Sequence, residues 1–275
     1  MEQSITTTAA FKAAEVYEQF LVPGIYRYWT PLLLKRAAPQ LGERVLDVAS
    51  GTGVVARSIV PLVGNKGKVV GLDINPAMLA VACKQFSDHC DEIDWREGKA
   101  EDIPFGNHDF DLVTCQQGLQ FFKNRPKASQ EMRRVLQPKG RVAIAVWQSL
   151  ERNSFYGTLF EALAAVFTIP ITDVNIPFAF GDPGELERLL VGADFRQVKV
   201  ESVRQDVHFN EVNRFVELTI KGVAAVLPAF VKMDGEMQSE LQQKVNQEVA
   251  VFIKSHVTDG MLTFPMYANI ATAVA

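Results

Sequence analysis

Residues 45–56 read Val45-Leu46-Asp47-Val48-Ala49-Ser50-Gly51-Thr52-Gly53-Val54-Val55-Ala56, and this stretch decides the fold of the 275-residue chain. It is typical of a buried strand, a tight glycine turn and the start of a helix. Open α/β sheets bind ligands at such a turn, because glycines let the backbone approach a ligand without a Cβ atom and the helix N-terminus offers unpaired N–H donors. The stretch therefore predicts a ligand site.

A carboxylate lies at the matching point of the next predicted strand. Asp73 ends the apolar run that begins at Val69, twenty residues past the glycine turn. A carboxylate at this position accepts hydrogen bonds from both hydroxyls of a ribose. The two features together indicate a ligand with an adenosine half.

Strands and helices alternate up to about residue 148. Short apolar runs predict strands at 45–48, 68–72, 91–96, 110–114 and 141–147. Between them, apolar periodicity and capping residues predict helices at 54–62, 75–86 and 127–136, the last closed by Pro138-Lys139-Gly140. Such alternation predicts an α/β fold with a doubly wound, mostly parallel sheet.

Beyond residue 148 the pattern becomes more helical. Helices are predicted at 154–167, 183–191 and within 211–258, and strands at 195–209 and 261–272. We expect a core at 41–147, continued at 182–210 and 261–275, with helical lids or caps at 1–40, 148–181 and 211–260. These helical segments are expected over the carboxyl ends of the strands, where Phe155, Phe178 and Phe180 would wall a substrate pocket.

Composition excludes several function classes. The chain is 48% hydrophobic and 22% charged with a net charge of −4, so it carries no basic field for nucleic acid or an anionic membrane surface. Neither a signal-peptide pattern nor an apolar run near the ~18 residues of a membrane span is present. We expect a cytoplasmic protein that acts on a small molecule. Its oligomeric state is not indicated.

Cysteine and histidine usage argues against a metal centre. Cys83, Cys90 and Cys115 are odd in number and show no CxxC spacing, which argues against a disulfide framework and a zinc site. The four histidines fall in no metal-binding spacing. We expect no metal cofactor and a reducing compartment.

Two ligand classes fit the glycine turn. The run Gly51 to Ala56 matches the dinucleotide spacing GxGxxA, which favours an NAD-dependent oxidoreductase. Asp47 argues against a dinucleotide, because its carboxylate would repel a pyrophosphate. It would attract the α-ammonium of S-adenosylmethionine, directly or through water. The charge therefore favours S-adenosylmethionine.

From residue 45 to residue 147 the sequence resembles the class I S-adenosylmethionine-dependent methyltransferases, in the methyltransferase type 11-like, small-molecule branch similar to ubiquinone/menaquinone C-methylases. The resemblance is carried by ordered motifs at 45–56, 69–79, 98–105, 110–114 and 131–140. It implies a Rossmann-like methyltransferase fold with a seven-stranded sheet and helical lid insertions. It also implies S-adenosyl-L-methionine as methyl donor, S-adenosyl-L-homocysteine as product, and a small, hydrophobic C- or O-acceptor. The alternatives are the NAD-dependent oxidoreductase and a non-catalytic S-adenosylmethionine-binding protein.

The resemblance also implies a set of cofactor-binding residues. Asp47, Gly51 and Gly53 would shape the site for the methionine end, and Asp73 would hold the ribose. The adenine would lie against Ile74 and Met78, with Glu101, Asp102 and Ile103 at its edge. The floor beside the sulfonium would be lined by Cys115, Gln116 and Gln117. The other expected members are Ala49, Ser50, Thr52 and Ala100. Ala49 replaces the first glycine of the usual loop, so we expect a negative φ there. Lys99 replaces an acid that faces the adenine in many relatives, so this contact is expected to shift to Glu101, Asp102 or a carbonyl.

No catalytic base stands out. Where many relatives carry a histidine after the fourth strand, this chain has glutamines, which orient an acceptor without taking its proton. The weak catalytic candidates are Tyr17, Tyr26, Gln120 and His208. Methyl transfer needs mainly alignment and a dry pocket, so a small catalytic apparatus suffices.

Overall fold

The protein is described by a computed structural model over residues 10–86, 92–223 and 235–275. The chain folds into two compact units. The unit here called the sheet unit comprises Trp29–Gln148, Phe180–Val203 and Ala268–Ala275. The unit here called the helical unit comprises Met1–Tyr28, Ser149–Ala179 and Arg204–Tyr267. The expected lid and wall functions of the helical segments stay predictions.

The strands form one sheet with the predicted doubly wound topology. In chain order they are β1 Arg44–Val48, β2 Lys68–Asp73, β3 Ile93–Glu97, β4 Phe110–Gln116, β5 Leu136–Trp147, β6 Arg196–Phe209, β7 Val257–Thr258 and β8 Met261–Val274. The main path has seven strands in the order β3-β2-β1-β4-β5-β8-β6, and the short β7 pairs with β8. Strands β1 to β5 run parallel, whereas β8 lies antiparallel to β5. The prediction of a mostly parallel, seven-stranded α/β sheet is confirmed.

Three of the described helices begin at capping residues that the sequence shows. The helices are α1 Arg27–Ala37, α2 Val54–Val63, α3 Pro76–Gln85, α4 Arg125–Val135, α5 Ser154–Phe167, α6 Pro183–Gly192, α7 Phe215–Val223 and α8 Gly235–Ser255, with a π-helix at Tyr17–Tyr26. Asn75, Asn124 and Asp182 each accept a hydrogen bond from a backbone N–H of the first turn, and each is followed by proline within two residues. Because Asn124 caps α4, this helix begins two residues earlier than predicted.

The start of β5 corrects one boundary. The segment Pro138-Lys139-Gly140, expected to separate helix from strand, lies inside β5, which begins at Leu136. Lys139 has a φ of 71°, and the pairing of β4 with β5 shifts register between Phe110 and Leu112. The segment is therefore an irregularity within the strand. The predicted start of β3 at residue 91 lies outside the described residues.

The sheet unit buries both faces of its central strands, as parallel strands require. On β4 and β5, Val113 and Ile144 pack into one apolar cluster, and Leu112 and Ala143 into the other. In the helical unit, the Phe155 and Phe264 rings stack with centroids 3.7 Å apart.

Two further features concern the cysteines and the helices. Cys83 is disulfide-bonded, although the cysteine pattern argued against a disulfide framework; Cys90 lies outside the described residues. Within the described ranges, no helix has the length and apolar character needed to cross a bilayer.

Candidate cofactor site

The loop from β1 to α2 turns through left-handed backbone. Gly51 and Gly53 have φ values of 55° and 86°, which glycine adopts without strain. Ala49 also has a positive φ, 56°, so the expectation of a negative φ is wrong. Left-handed backbone costs a residue with a Cβ atom about 1–2 kcal/mol. The expected ligand turn therefore holds a strained residue.

Trp95, on β3, explains two of the glycines near this loop. A Cβ atom on Gly53 would lie 2.3 Å from Cη2 of Trp95, and one on Gly71 would lie 2.5 Å from Cζ3 of the same ring. The indole ring therefore requires glycine at both positions, whether or not a ligand does. Trp95 is absent from the residues predicted from sequence, where its signal is one aromatic side chain in an otherwise largely polar strand.

Asp47 is almost fully buried near the carboxyl end of β1. Thr114 Oγ1 donates a hydrogen bond to its Oδ1 at 2.7 Å, while its Oδ2 has no hydrogen-bond partner among the described residues. Burial raises the pKa of this carboxyl to about 7; the hydrogen bond from Thr114 and the nearby Ala56 backbone N–H oppose the rise, and the negative charge of Asp73 adds to it. A cationic group beside Oδ2 would favour the ionised form.

Asp73 ends β2 and binds two backbone groups. Its Oδ2 accepts from the Gly51 N–H and its Oδ1 from the Asn75 N–H, both at 2.8 Å. Burial raises the pKa of this carboxyl, and these backbone hydrogen bonds oppose the rise. Each carboxylate oxygen has a second lone pair, so hydroxyl groups can still bind. The carboxylate thus also organises the glycine turn, a role that its sequence position did not predict.

Several polar side-chain atoms of the predicted site are buried without a hydrogen-bond partner in the part of the chain that is described. They are Asp47 Oδ2, Ser50 Oγ, Thr52 Oγ1, Gln116 Oε1, and both amide atoms of Gln117 and of Gln120. An unpaired buried polar group costs about 1–3 kcal/mol, and native structures keep few of them. Their concentration at the carboxyl ends of β1 and β4 and in the segments that follow indicates a polar ligand site.

Side chains of α4 form hydrogen bonds with the backbone of segment 100–103, which is predicted to contact the adenine. The Ile103 N–H donates to Glu131 Oε2 at 3.0 Å, and Arg134 Nη2 donates to the Ile103 carbonyl at 2.9 Å. Arg134 also binds Glu131 through two nitrogens, at 2.9 and 2.7 Å. Glu101 Oε1 accepts from the Asn124 N–H at 3.3 Å. The sequence analysis did not predict the ion pair between Glu131 and Arg134, although both residues lie in the 131–140 motif.

The remaining predicted adenine contacts differ in exposure. Ile74 is 61% exposed and Ala100 only 7%. Asp102 is exposed and Met78 half-buried. Ile74 and Asp102 are therefore accessible to a ligand, whereas Ala100 is part of the apolar core.

The loop after β4 touches the loop after β1. A Cβ atom on Gly118 would lie 2.5 Å from the Ala49 Cβ, so the two backbones pack directly together. Gln117 precedes this contact with a φ of 56°, and Gln116 Nε2 donates to Thr30 Oγ1 at 3.1 Å. The structure thus brings predicted residues of the two loops together.

Cys115 lies beneath this loop and is fully buried. Burial, followed by the charge of Asp47, raises the pKa of its thiol to about 12. The thiol therefore stays protonated near neutral pH and is not a nucleophile.

Three of the catalytic candidates belong to the helical unit. The rings of Tyr17 and Tyr26 lie 5.0 Å apart, and burial raises the pKa of Tyr26 to about 12, opposed by a hydrogen bond with Tyr17. His208 Nδ1 lies 2.9 Å from Thr263 Oγ1. Tyr26 is thus a poor base near neutral pH. The described residues contain no group of three or more acidic, histidine or cysteine side chains that could hold a metal ion.

Proteins of known name share this sequence and fold. The chain is 39% identical over 123 residues to the ubiquinone/menaquinone biosynthesis C-methyltransferase UbiE of Hahella chejuensis, covering 44% of this chain and 49% of the relative. It is 37% identical over 147 residues to the 2-phytyl-1,4-naphtoquinone methyltransferase of Synechococcus elongatus, covering 52% and 60%. The chain thus spans about half the length of the curated relatives it matches.

Solved structures share the fold at lower identity. A phosphoethanolamine N-methyltransferase 2 of Haemonchus contortus in complex with S-adenosyl-L-methionine is 20% identical, with a TM-score of 0.58 over 98% of this chain and 57% of that chain. A SAM-dependent methyltransferase of Aquifex aeolicus is also 20% identical, with a TM-score of 0.54 over 70% of this chain and 91% of that chain.

The sequence match extends beyond single relatives. The ubiE/COQ5 methyltransferase family matches residues 11–168. This range includes the glycine turn, Asp73, the ion pair between Glu131 and Arg134, and the glutamines at 116, 117 and 120. More than half of the chain is covered, and the predicted resemblance to ubiquinone/menaquinone C-methylases is confirmed. The chain therefore belongs to the ubiE/COQ5 methyltransferase family.

Proposed function

We propose that this protein transfers a methyl group from S-adenosylmethionine to a small, hydrophobic, quinone-type molecule. The observation that carries the proposal is the buried carboxyl of Asp47, whose Oδ2 has no partner among the described residues. Neither this carboxyl nor that of Asp73 forms an ion pair with a described basic residue. Two acids without a paired cation suit an onium ligand and would repel a pyrophosphate.

The residues of the glycine turn fit the methionine end of the cofactor. An α-ammonium beside Asp47 would pair with a buried charge, and hydrogen-bonding groups of the same end would satisfy the hydroxyls of Ser50 and Thr52. Asp73 keeps lone pairs for the ribose hydroxyls. Ile74, Met78 and the 100–103 segment would hold the adenine, and the 115–117 segment would lie beside the sulfonium.

Bound S-adenosylmethionine would supply a sulfonium methyl group, whose carbon an acceptor attacks in line while the bond to sulfur breaks and S-adenosylhomocysteine leaves. The protein residues bind, orient and exclude water. Cys115 and Tyr26 hold their protons well above neutral pH, so neither serves as the base. An acidic acceptor that loses its own proton would need no protein base.

The acceptor class comes from the relatives. Two of them are named for quinone methylation, and the same family contains this chain. The NAD-dependent oxidoreductase and the non-catalytic binding protein gain no support from these relatives. We also propose that the reaction needs no metal, so that EDTA leaves its rate unchanged, and that the protein acts in the cytoplasm.

Calorimetry and mass spectrometry test the proposal. S-adenosylhomocysteine should bind and NAD should not. Incubation with S-adenosylmethionine and 1,4-dihydroxynaphthalene, a simple quinol, should add one methyl group to the quinol. Binding of NAD without binding of S-adenosylhomocysteine would reject the cofactor assignment, and cofactor binding without methylation of any quinol would reject the acceptor class.

A further inference from the structure

Gln120 has a buried side-chain amide that forms no hydrogen bond with the described residues. It is 2% exposed, in the short 3₁₀ turn Leu119–Phe121 after β4. Neither its Nε2 nor its Oε1 has a hydrogen-bond partner among the described residues. A buried amide that stabilises a fold normally has partners, so this side chain requires another explanation.

The main chain of Gln120, by contrast, is firmly held. Arg125 Nη2 donates to the Gln120 carbonyl at 2.8 Å, and Arg125 Nε donates to the Leu119 carbonyl at 3.3 Å. The guanidinium carbon of Arg125 lies 4.6 Å from the centroid of the Phe180 ring. The 3₁₀ turn is therefore fixed by contacts to its backbone, which set the position from which the Gln120 side chain extends.

The position of this turn connects it to the proposed cofactor site. The turn follows Gly118, whose backbone packs directly against Ala49 of the loop after β1. Gln117, also with two unpaired amide atoms, lies on the other side of Gly118. The Gln120 amide is thus two residues from the contact between the two loops.

The chemistry of the side chain limits what it binds. A primary amide offers two N–H donors and a carbonyl acceptor, carries no charge and takes no proton near neutral pH. A hydroxyl group, which both donates and accepts, satisfies both ends of such an amide. We propose that the side-chain amide of Gln120 binds a hydroxyl group of the methyl acceptor and orients the acceptor beside the cofactor loop.

This inference rests on the proposed function and predicts an uncommon combination of effects. Methionine is close to glutamine in size and lacks the unpaired polar atoms. Gln120→Met should therefore raise the Tm of the ligand-free protein, by about 2–4 °C. The same substitution should lower kcat/KM for 1,4-dihydroxynaphthalene at least tenfold while leaving the Kd of S-adenosylhomocysteine within about twofold.

Gln148 provides a matched control. It is also buried, at 5% exposed, but its Nε2 donates to Asn269 Oδ1 at 3.0 Å. Gln148→Met should lower the Tm, because it leaves Asn269 with one hydrogen bond fewer. A rise in Tm for Gln120→Met and a fall for Gln148→Met would together support an amide kept for a ligand.

Other outcomes overturn the inference and separate it from the proposed function. A lower Tm for Gln120→Met would show that the amide stabilises the fold, for example through an ordered water. A weaker Kd for S-adenosylhomocysteine would assign the amide to the cofactor. Unchanged methylation of the quinol by Gln120→Met would reject acceptor binding while the methyltransferase function stands. Failure of the unsubstituted protein to bind S-adenosylhomocysteine would instead reject the proposed function.

Discussion

The backbone N–H of Gly51 donates a 2.8 Å hydrogen bond to Oδ2 of Asp73, so the carboxylate that ends β2 holds the turn that follows β1. The same carboxylate is the proposed ribose acceptor. One side chain therefore couples the shape of the glycine turn to the binding of the nucleoside. Substitution of Asp73 should affect folding and cofactor affinity together.

Asp73→Ala should weaken binding of S-adenosylhomocysteine at least tenfold, or about 1.4 kcal/mol, as measured by calorimetry. It should also lower the free energy of unfolding by about 1–3 kcal/mol, because the Gly51 and Asn75 N–H groups lose their acceptor. Asp94→Ala is the matched control, since Asp94 is an exposed strand carboxylate paired with Arg96. It should change stability by less than about 1 kcal/mol and leave affinity unchanged. Full affinity in Asp73→Ala would remove this residue from the site.

Cofactor affinity should depend on the ionisation of Asp47. The pKa of this carboxyl is about 7 in the ligand-free protein, and a bound ammonium favours the ionised form. Binding of S-adenosylhomocysteine should therefore tighten as the pH rises from about 6 to 8 and release protons to the buffer. Calorimetry in buffers of different ionisation enthalpy measures this release. Asp47→Asn should bind more weakly and release no protons; proton release equal to that of the unsubstituted protein would contradict the assignment.

The ionisation of Asp47 also predicts how the free energy of unfolding of the ligand-free protein depends on pH. The pKa of Asp47 is raised on folding, so its protonated form is favoured in the folded state and this contribution is lost as the pH rises through about 7. The free energy of unfolding should fall by up to about 1.4 kcal/mol per pH unit between the ordinary pKa of 3.8 and about 7, and should level off at higher pH. Urea unfolding of Asp47→Asn should show a flatter profile and higher stability at pH 8.

Ala49→Gly should stabilise the protein. Ala49 has a φ of 56°, and glycine relieves the left-handed strain of about 1–2 kcal/mol while adding unfolded-state entropy of about 0.4–1 kcal/mol. A net gain of about 0.5–1 kcal/mol is therefore expected in urea unfolding. Ala80→Gly, at an exposed position of α3, should instead lose about 0.5–1 kcal/mol. Equal losses at both positions would contradict the strain at residue 49.

Glu131→Gln should loosen the predicted adenine segment. The pKa of Glu131 is lowered, chiefly by its hydrogen bonds from Arg134, so this stabilisation is present above the ordinary carboxyl pKa and is lost as the pH falls. The substitution should lower the free energy of unfolding by about 1–3 kcal/mol and weaken S-adenosylhomocysteine binding several-fold, because Ile103 loses part of its support.

Glu211→Gln supplies the control for this ion pair. Glu211 pairs with Arg214 at 2.7 Å with the same three-residue spacing, but both side chains are about half exposed. Its removal should cost less than about 1 kcal/mol and should not change cofactor affinity. Similar effects of the two substitutions would show that the α4 ion pair does not position the adenine segment.

Periodic and capping signals were enough to predict most of the fold. The helix at Ser154–Phe167 matches its prediction at both ends, and Asn75 and Asp182 cap helices as expected. Boundaries failed where long-range pairing overrides local preference. The Pro138-Lys139-Gly140 segment, a strong local breaker, is incorporated into β5 because that strand continues along β4 with a register shift.

Site chemistry was less predictable than site position. Asp47 and Asp73 lie where the motif places them, at the carboxyl ends of parallel strands. The positive φ of Ala49, the packing of Trp95 against Gly53 and Gly71, and the hydrogen bond from Arg134 to the Ile103 carbonyl were not predicted. Each depends on a contact between residues that are distant in the chain.

By itself, the amino-acid sequence determined the alternation of strands and helices, the glycine turn and the two acids, because hydrophobic periodicity and turn chemistry act over a few neighbouring residues. Only the tertiary structure decided that Asp47 is buried deeply enough to titrate near pH 7, that Asp73 holds Gly51, and that the Gln120 amide lacks a partner among the described residues. Desolvation and hydrogen-bond pairing depend on which distant groups surround a side chain, and only packing specifies them.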